Sequence, residues 1–241
     1  MAVKKVKENV FEISLGYVNI HLLVGDDLTL IDTGTPGSAS KILAAVEEIG
    51  YSASDVDHIL VTHYHADHIG SLAALKEATG APAYMHKLDA DLVRGGVNTR
   101  PVHPAPGFFN AILVRLLLRI GGLFSNNKPV EIENEIQDGD VLDFADGLQA
   151  RLVPGHSAGQ LAFLRPHDGG VLFSADTASN MFGLGYSIIY EDIEEGMRSL
   201  EKLSQLNFET ACFGHGKSIK ESASARFRDK WGGDKGLGDR I

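Results

Sequence analysis

Cysteine is almost absent from this sequence, since Cys212 is the only one in 241 residues. A single thiol forms no disulfide within the chain, and the first residues contain lysines but no apolar stretch of the length that a secretory signal requires. Both absences predict a protein of a reducing compartment, the cytoplasm. Because Cys212 lies in a short apolar run, we interpret it as a core residue and not as a catalytic nucleophile.

Basic residues are also scarce. The chain has 22 Lys and Arg against 32 Asp and Glu, which gives a net charge of -10. Binding to a phosphate backbone relies on clustered basic side chains, and the sequence has no such run. A nucleic-acid partner is therefore excluded, and we expect a small-molecule substrate.

No apolar run is long enough to cross a membrane. The longest, Phe108 to Phe124, is shorter than the roughly 20 residues that a bilayer requires, and Arg115 and Arg119 lie four positions apart on one helical face. This segment predicts an amphipathic helix that packs on the domain, covers a hydrophobic substrate, or contacts a second copy in a homodimer or a membrane surface. We interpret residues 88–127 as a lid inserted into a single domain that spans residues 1–241.

What the sequence does contain is a series of β-rich runs and helical periods. After Ser38, a helix is predicted with Ile42, Ala45, Val46 and Ile49 on one face and Gly50 at its end. The runs with strand character are Val10 to Ile13, Val18 to Val24, Leu28 to Ile31, His58 to Thr62, Val130 to Ile132, Val141 to Phe144, Leu148 to Val153, Leu161 to Leu164 and Val171 to Phe173. Strands followed by helices occur twice, which predicts the α/β class and a four-layer αββα sandwich.

The segment THYHADHIG joins a predicted strand to a predicted helix and contains four metal-binding side chains. His63 and His65 are two residues apart, so along an extended strand end they point the same way. Asp67 and His68 follow as the chain turns. Four donors so close in sequence cannot all reach one tetrahedral ion without strain, so we interpret them as two half-sites. Each half-site needs further ligands from elsewhere, because a catalytic zinc typically has about three protein ligands.

Three candidates for the missing ligands follow later β-rich runs. They are His156 in PGHSAGQ, Asp176 in FSADTAS and His215 in FGHG, each beside small residues that let the backbone pass close to a metal. With them the set has five histidines and two aspartates, enough for two metal ions. The other histidines are assigned no role in the site: His21, His58, His86, His103 and His167.

The sequence HYHADH matches the HxHxDH signature of the metallo-β-lactamase superfamily, and the three later donors occur in that family's order. The chain resembles the superfamily from about Val10 to His215, and the family fold is the αββα sandwich. The resemblance implies that one metal is bound by His63, His65 and His156. It implies that a second metal is bound by Asp67, His68 and His215, and that Asp176 bridges the two. Zinc is the first choice of metal, and iron or manganese would also suit these ligands.

Asp32, in LIDTG, has two interpretations. It is either a turn residue after a strand or, as in the family, an acceptor that orients the ligand loops.

The resemblance implies hydrolysis by a hydroxide that bridges the two metals, with Asp67 orienting the water or accepting its proton. A bridging aspartate and the absence of a signal peptide argue against β-lactam hydrolysis. Our leading hypothesis is cleavage of a carboxylic ester or lactone with a hydrophobic acyl part. Related lactonases have a tyrosine three residues after the bridging aspartate, where this chain has Ser179, and Tyr186 or Tyr190 would have to take that role.

Other functions stay open. Hydrolysis of thioesters as in glyoxalase II, or of phosphodiesters, uses the same centre, although only 25 residues follow Gly216, too few for the glutathione-binding domain of glyoxalase II. A mononuclear iron persulfide dioxygenase shares HxHxDH and would bind one iron. A metal-binding module without catalysis would show no turnover with its metal bound.

Overall fold

Sixteen strands and six helices make up the fold in the computed structural model, which describes residues 2–96, 100–105, 114 and 128–233. The strands are β1 (Ala2–Lys7), β2 (Val10–Ser14), β3 (Asn19–Val24), β4 (Leu28–Ile31), β5 (Val56–Leu60), β6 (Ala83–Met85), β7 (His103–Pro104), β8 (Asn134–Glu135), β9 (Val141–Leu142), β10 (Leu148–Leu152), β11 (Leu161–Arg165), β12 (Val171–Phe173), β13 (Ala178–Ser179), β14 (Gly185–Tyr186), β15 (Ile189–Tyr190) and β16 (Thr210–Cys212). The helices are α1 (Ala39–Glu48), α2 (Ala66–Ile69), α3 (Leu72–Thr79), α4 (Lys87–Gly95), α5 (Ile193–Ser204) and α6 (Ala223–Trp231).

Two large sheets form the centre of the molecule. The first has seven strands in the order β1-β2-β3-β4-β5-β6-β8, and the second has five in the order β16-β12-β11-β10-β9. Strands β4, β5 and β6 run parallel to one another, as do β12 and β16. Two short antiparallel pairs, β13 with β14 and β7 with β15, lie outside these sheets.

Three buried clusters show the layering. The first packs α1, α3 and α4 on the outer face of the first sheet, and the second packs α5 and α6 on the outer face of the second. The third lies between the sheets, where Leu23 and Leu60 of one sheet meet Phe163 and Phe173 of the other. Cys212 is buried in that middle layer, as its apolar surroundings predicted. The predicted α/β class and αββα sandwich are therefore confirmed.

Helix boundaries follow local sequence signals. Helix α1 buries Ile42, Ala45 and Val46 of the predicted face, while Ile49 caps its C-terminal end and is only partly buried. Helix α5 begins after Asp192, whose side chain accepts a hydrogen bond from the backbone N–H of Glu195 at 3.0 Å. Both features depend only on residues within a few positions of one another, so they can be predicted from the sequence.

The strand predicted over Val130 to Ile132 is wrong, because this segment is not hydrogen-bonded to a strand. The Arg94 guanidinium donates to the carbonyl O of Ile132, and Val130 N–H donates to the carbonyl O of Val93 at 3.2 Å. The chain therefore runs along α4 before it joins the first sheet at β8.

The apolar segment 108–124 lies outside the described residues, apart from Val114, which is buried. Within the lid interpretation of residues 88–127, the described part includes most of α4, and its Ala90 and Val93 belong to the first buried cluster. Among the described residues, no helix has the length and apolar character needed to cross a membrane.

The predicted donors all follow strand ends, in loops or, for Asp67 and His68, in the short helix α2. His63, His65, Asp67 and His68 follow β5, His156 follows β10, Asp176 follows β12 and His215 follows β16. Parallel strands bring their carboxyl ends to one edge of a sheet, which is where open α/β sheets bind ligands. The fold thereby gathers residues from distant parts of the chain.

Candidate metal centre

Three imidazole rings form what we call the histidine triangle: His63, His65 and His156. His65 Nδ1 lies 3.1 Å from His63 Nε2 and 2.8 Å from His156 Nε2, and the latter two atoms are 3.2 Å apart. Three nitrogens about 2.0–2.1 Å from a tetrahedral zinc would lie about 3.3 Å from one another. The triangle therefore has nearly the dimensions of a three-histidine metal site.

Hydrogen bonds on the outer side hold two of these rings. His156 Nδ1 lies 2.8 Å from the carbonyl O of Ile189, and His63 Nδ1 lies 3.0 Å from Thr62 Oγ1. A ring nitrogen that donates outward leaves the other nitrogen with its lone pair toward the cluster. His65 faces the triangle through Nδ1, and its buried Nε2 has no hydrogen-bond partner among the described residues.

Asp176 lies between the triangle and a second group of donors. Its Oδ2 is 3.5 Å from His156 Nε2 and 3.0 Å from His215 Nε2, while Oδ1 is 3.7 Å from His68 Nε2. Asp67 Oδ2 is 3.4 Å from His215 Nε2. The structure thus brings all seven predicted donors together, with one carboxylate between the two groups.

Besides His65 Nε2, two buried atoms of this cluster have no hydrogen-bond partner in the described part of the chain. They are His68 Nε2 and Asp176 Oδ1, which face each other. Leaving a buried polar atom unpaired costs roughly 1–3 kcal/mol, and a cation between these two would satisfy both. Imidazole and carboxylate donors suit zinc, iron and manganese. The residues therefore fit divalent metal ions.

The two groups differ in charge. Burial lowers the pKa of each histidine of the triangle, so these rings are neutral and ready to bind a metal. Burial alone would lower the pKa of His68, but Asp32 and Asp176 hold it well above its ordinary value. Burial acts the same way on His215, yet Asp176 and Asp67 raise its pKa to about 9. Without metal, protons on these two rings therefore balance the carboxylates.

These shifts predict how the metal-free protein responds to pH. The pKa of His215 is raised to about 9 from an ordinary value of 6.5, so its stabilising charge is fully present below about 6.5 and is lost as pH rises through about 9. We expect the free energy of unfolding to fall by about 3 kcal/mol over that interval. The lowered pKa values of the three triangle histidines affect the free energy of unfolding only below pH 6.5. Above that pH, each of these rings is neutral in both the folded and the unfolded chain.

Urea unfolding of the metal-free protein between pH 6.5 and 9.5 measures this effect. The variant His215→Gln should reduce the slope, since it removes one of the two rings with a raised pKa. A stability that rises over this interval would contradict the assignment.

Asp32 is both a turn residue and an acceptor for the ligand loops, the two interpretations that its sequence left open. Its backbone adopts a left-handed φ of 67°, as in a turn. Its Oδ2 lies 2.8 Å from His68 Nδ1, and its Oδ1 accepts a hydrogen bond from Thr62 N–H at 2.8 Å. Asp32 therefore turns the chain after β4 and orients both His68 and the start of the THYHADHIG segment.

The backbone approaches the donors closely at Gly214. A Cβ atom there would lie 2.2 Å from Asp176 Oδ1 and 2.8 Å from His68 Cε1. Only glycine fits this position. Small residues beside the predicted ligands were thus a valid signal of close backbone approach.

Tyr190 contacts the ring of His156, whereas Tyr186 contacts Trp231. The Tyr190 ring is buried with its centroid 6.3 Å from that of His156, and its hydroxyl accepts from Ser187 N–H at 3.1 Å. The ring of Tyr186 packs 6.2 Å from Trp231. A further tyrosine, which the sequence did not indicate, stacks on a donor ring of the second group.

That residue is Tyr17, in the turn between β2 and β3. Its ring is stacked on His215, with centroids 5.8 Å apart and planes within 6°, and 55% of the residue is exposed. Its carbonyl O lies 2.8 Å from His215 Nδ1. Burial and the nearby Asp67 carboxylate raise the pKa of the hydroxyl. Tyr17 lies far in sequence from every donor, so no local sequence pattern indicated its contact with His215.

The four-layer αββα sandwich thus gathers, at one edge, five histidines and two aspartates that could hold metal ions. The chain belongs to the metallo-β-lactamase superfamily, whose family model matches residues 13–215.

Relatives and solved structures agree with this assignment. The chain is 27% identical to YobT of Bacillus subtilis (strain 168), covering 88% of each protein. It is 32% identical to a hydroxyacylglutathione hydrolase of Jannaschia sp. (strain CCS1), covering 73% of this chain and 54% of that protein. A metallo-β-lactamase from Cronobacter sakazakii with a HARLDQ motif superposes with a TM-score of 0.70 at 21% identity, covering 89% of this chain and 78% of that one. This last likeness shows the fold.

Proposed function

We propose that this protein is a metal-dependent hydrolase that cleaves a carboxylic ester or lactone with a hydrophobic acyl part. The observation that carries the proposal is the position of Asp176 between the histidine triangle and the group of Asp67, His68 and His215. One carboxylate placed between two sets of donors is suited to joining two ions.

The proposed ligands are the triangle for one ion, the second group for the other, and Asp176 for both. Two divalent ions held there, zinc by preference, would supply Lewis acidity and lower the pKa of a bound water. Asp67 is the partly exposed carboxylate of the set, with a side chain 26% accessible. It is placed to orient a water molecule and to accept its proton. The Tyr17 hydroxyl stands beside it and would contact the substrate.

An apolar rim beside His215 supports a hydrophobic substrate. We define this rim as Tyr17, Met181 and Phe182, which are 55%, 44% and 95% exposed. Met181 follows Asn180, whose N–H donates to the carbonyl O of His215 at 3.0 Å. Large apolar side chains exposed next to a polar centre favour a ligand with an apolar part.

Shortening Phe182 tests the rim. Phe182→Ala should raise KM for a long-chain aryl ester by about tenfold, the effect of losing roughly 1.5 kcal/mol of apolar contact. It should leave an aryl acetate, which has no chain to contact the rim, nearly unchanged. Steady-state kinetics on both esters measures the difference.

Val141→Ala is the matched control, because Val141 is an exposed apolar residue on β9, at the edge of the second sheet opposite β16. Equal effects of Phe182→Ala on both esters would contradict the role of the rim.

Thioester hydrolysis is the second candidate, favoured by identity to hydroxyacylglutathione hydrolases. The chain spans only 54–64% of the length of three such relatives. A thioester would present the same carbonyl to the centre, with sulfur as the leaving atom.

One experiment separates the candidates. The protein loaded with two zinc ions is assayed against lactones, aryl esters, thioesters and phosphodiesters, and oxygen uptake is followed with a persulfide after iron loading. Turnover of lactones or esters that exceeds all others supports the proposal. Turnover confined to thioesters or phosphodiesters, or oxygen uptake with one iron, would replace it.

A further inference from the structure

A second buried carboxylate, Asp89 on α4, lies beside the metal centre and is absent from the predicted donor set. Its side chain is completely inaccessible to solvent. It accepts four hydrogen bonds: from Ser157 Oγ at 2.6 Å, Arg100 Nη1 at 2.8 Å, Gly159 N–H at 3.0 Å and Tyr64 N–H at 3.3 Å. A buried carboxylate needs such partners, because an unpaired one would be strongly destabilising.

The neutral donors to Asp89 all belong to the loops of the histidine triangle. Tyr64 stands between His63 and His65, and Ser157 directly follows His156. One carboxylate therefore joins the loop after β5 to the loop after β10. Asp32 contacts His68 in the other half of the centre, and it also accepts from the N–H of Thr62 beside His63.

Close packing marks this junction as fixed. A Cβ atom on Gly159 would lie 2.7 Å from Asp89 Oδ1, so the loop after His156 approaches the carboxylate as near as a backbone can. Arg100 also contacts Glu191, with 3.3 Å between Nη1 and Oε2. Glu191 in turn accepts from Tyr64 Oη at 2.8 Å. Arg100 thus links Asp89, which accepts from the N–H of Tyr64, to Glu191, which accepts from the Tyr64 hydroxyl. Tyr64, the residue between the two histidines, is therefore held at both ends.

We propose that Asp89 is a positioning residue that sets the spacing of the histidine triangle and hence the metal affinity of that half of the centre. It touches neither donor atoms nor substrate. It acts by holding the backbone on both sides of the triangle at the separation that one ion requires. The inference depends on the proposed metal centre and concerns how its two halves are supported.

Asp89→Asn is the direct test. Asparagine keeps the size of the side chain but presents an amide NH2 where one carboxylate oxygen accepts hydrogen bonds. Zinc titration calorimetry on the metal-free full chain should show the triangle's affinity falling by about 10- to 100-fold, the usual effect of losing an outer partner of a metal ligand. The affinity of the second group should change less than about threefold. The variants His156→Ala and His68→Ala identify which binding step belongs to which half.

Asp91→Asn is the matched control, since Asp91 lies on the same helix but is exposed and pairs with Lys87. It should bind both ions as the wild type does. If Asp89→Asn does not fold, Ser157→Ala removes the 2.6 Å hydrogen bond alone and should weaken the triangle by about threefold to tenfold.

The outcomes separate this inference from the proposed function. A wild type that binds two ions and an Asp89→Asn variant that binds both equally well would overturn only the role of Asp89. Equal weakening at both halves would also overturn it, because that pattern indicates general destabilisation. A wild type that binds no metal would overturn the proposed function itself.

Discussion

Replacing Asp176 with alanine is expected to remove most of the activity and the binding of one of two metal ions. This carboxylate lies within 3.0–3.7 Å of His215, His156 and His68, so it contacts both groups of donors. Loss of a residue that merely supports a ligand already lowers affinity or activity about 10- to 100-fold. Loss of a shared ligand should therefore lower kcat/KM by more than about a hundredfold. Metal analysis and ester kinetics on one preparation measure both effects.

His103→Ala is the control for this variant. His103 is exposed on β7, where it pairs with Tyr190 of β15, and it is not among the groups of donors. Its replacement should change neither metal content nor turnover. Near-normal turnover in an Asp176→Ala variant whose fold is intact by circular dichroism would refute the two-metal assignment.

Removing the metal from the wild type should abolish activity and lower thermal stability. The metal-free cluster holds unpaired buried atoms and at least two raised pKa values, and bound ions would satisfy these groups. A ligand present at 1,000 times its Kd stabilises the folded state by about 4.1 kcal/mol. For a domain of this size that corresponds to a rise in Tm of about 8–16 °C. Calorimetry with and without a chelator measures the shift.

Chelator saturated with zinc is the control, since it cannot remove the ions and should leave the protein unchanged. Adding zinc after chelation should restore both activity and Tm. Full activity in a protein shown to be metal-free would contradict the proposed chemistry.

The seven donors could be predicted because their signal is carried by residue type and by position after strand ends. His63 and His65 are two residues apart in a recognisable segment, and Asp176 and His215 each follow a short apolar run. What the sequence could not show is which nitrogen of each ring faces inward. That choice depends on partners such as Ile189, whose carbonyl fixes His156 only in the folded chain.

Two supporting residues, Tyr17 and Asp89, could not be predicted for the same reason. Tyr17 stacks on His215 across 198 positions of sequence, and Asp89 joins segments that no local pattern connects. The tyrosines chosen from sequence, Tyr186 and Tyr190, were selected by nearness to Asp176 along the chain. In the fold, β13 and β14 turn the chain back so that Tyr186 packs toward Trp231.

Strands with weak signals were missed. Lysines make up three of the six residues of β1, and β6 has only three residues. Edge position explains the first, since a strand at the edge of a sheet carries charged side chains that oppose aggregation. Length explains the second, because three residues show no period. The layers were nonetheless predictable, since the longer strands and amphipathic helices determine them.

The central claim is that seven side chains from both sheets form one centre for two metal ions. Metal content per chain, measured by mass spectrometry on protein reconstituted with zinc and freed of excess, tests it most directly. The account predicts two zinc ions per wild-type chain and about one in Asp176→Ala. One ion per wild-type chain, with the same content in Asp176→Ala, would contradict it.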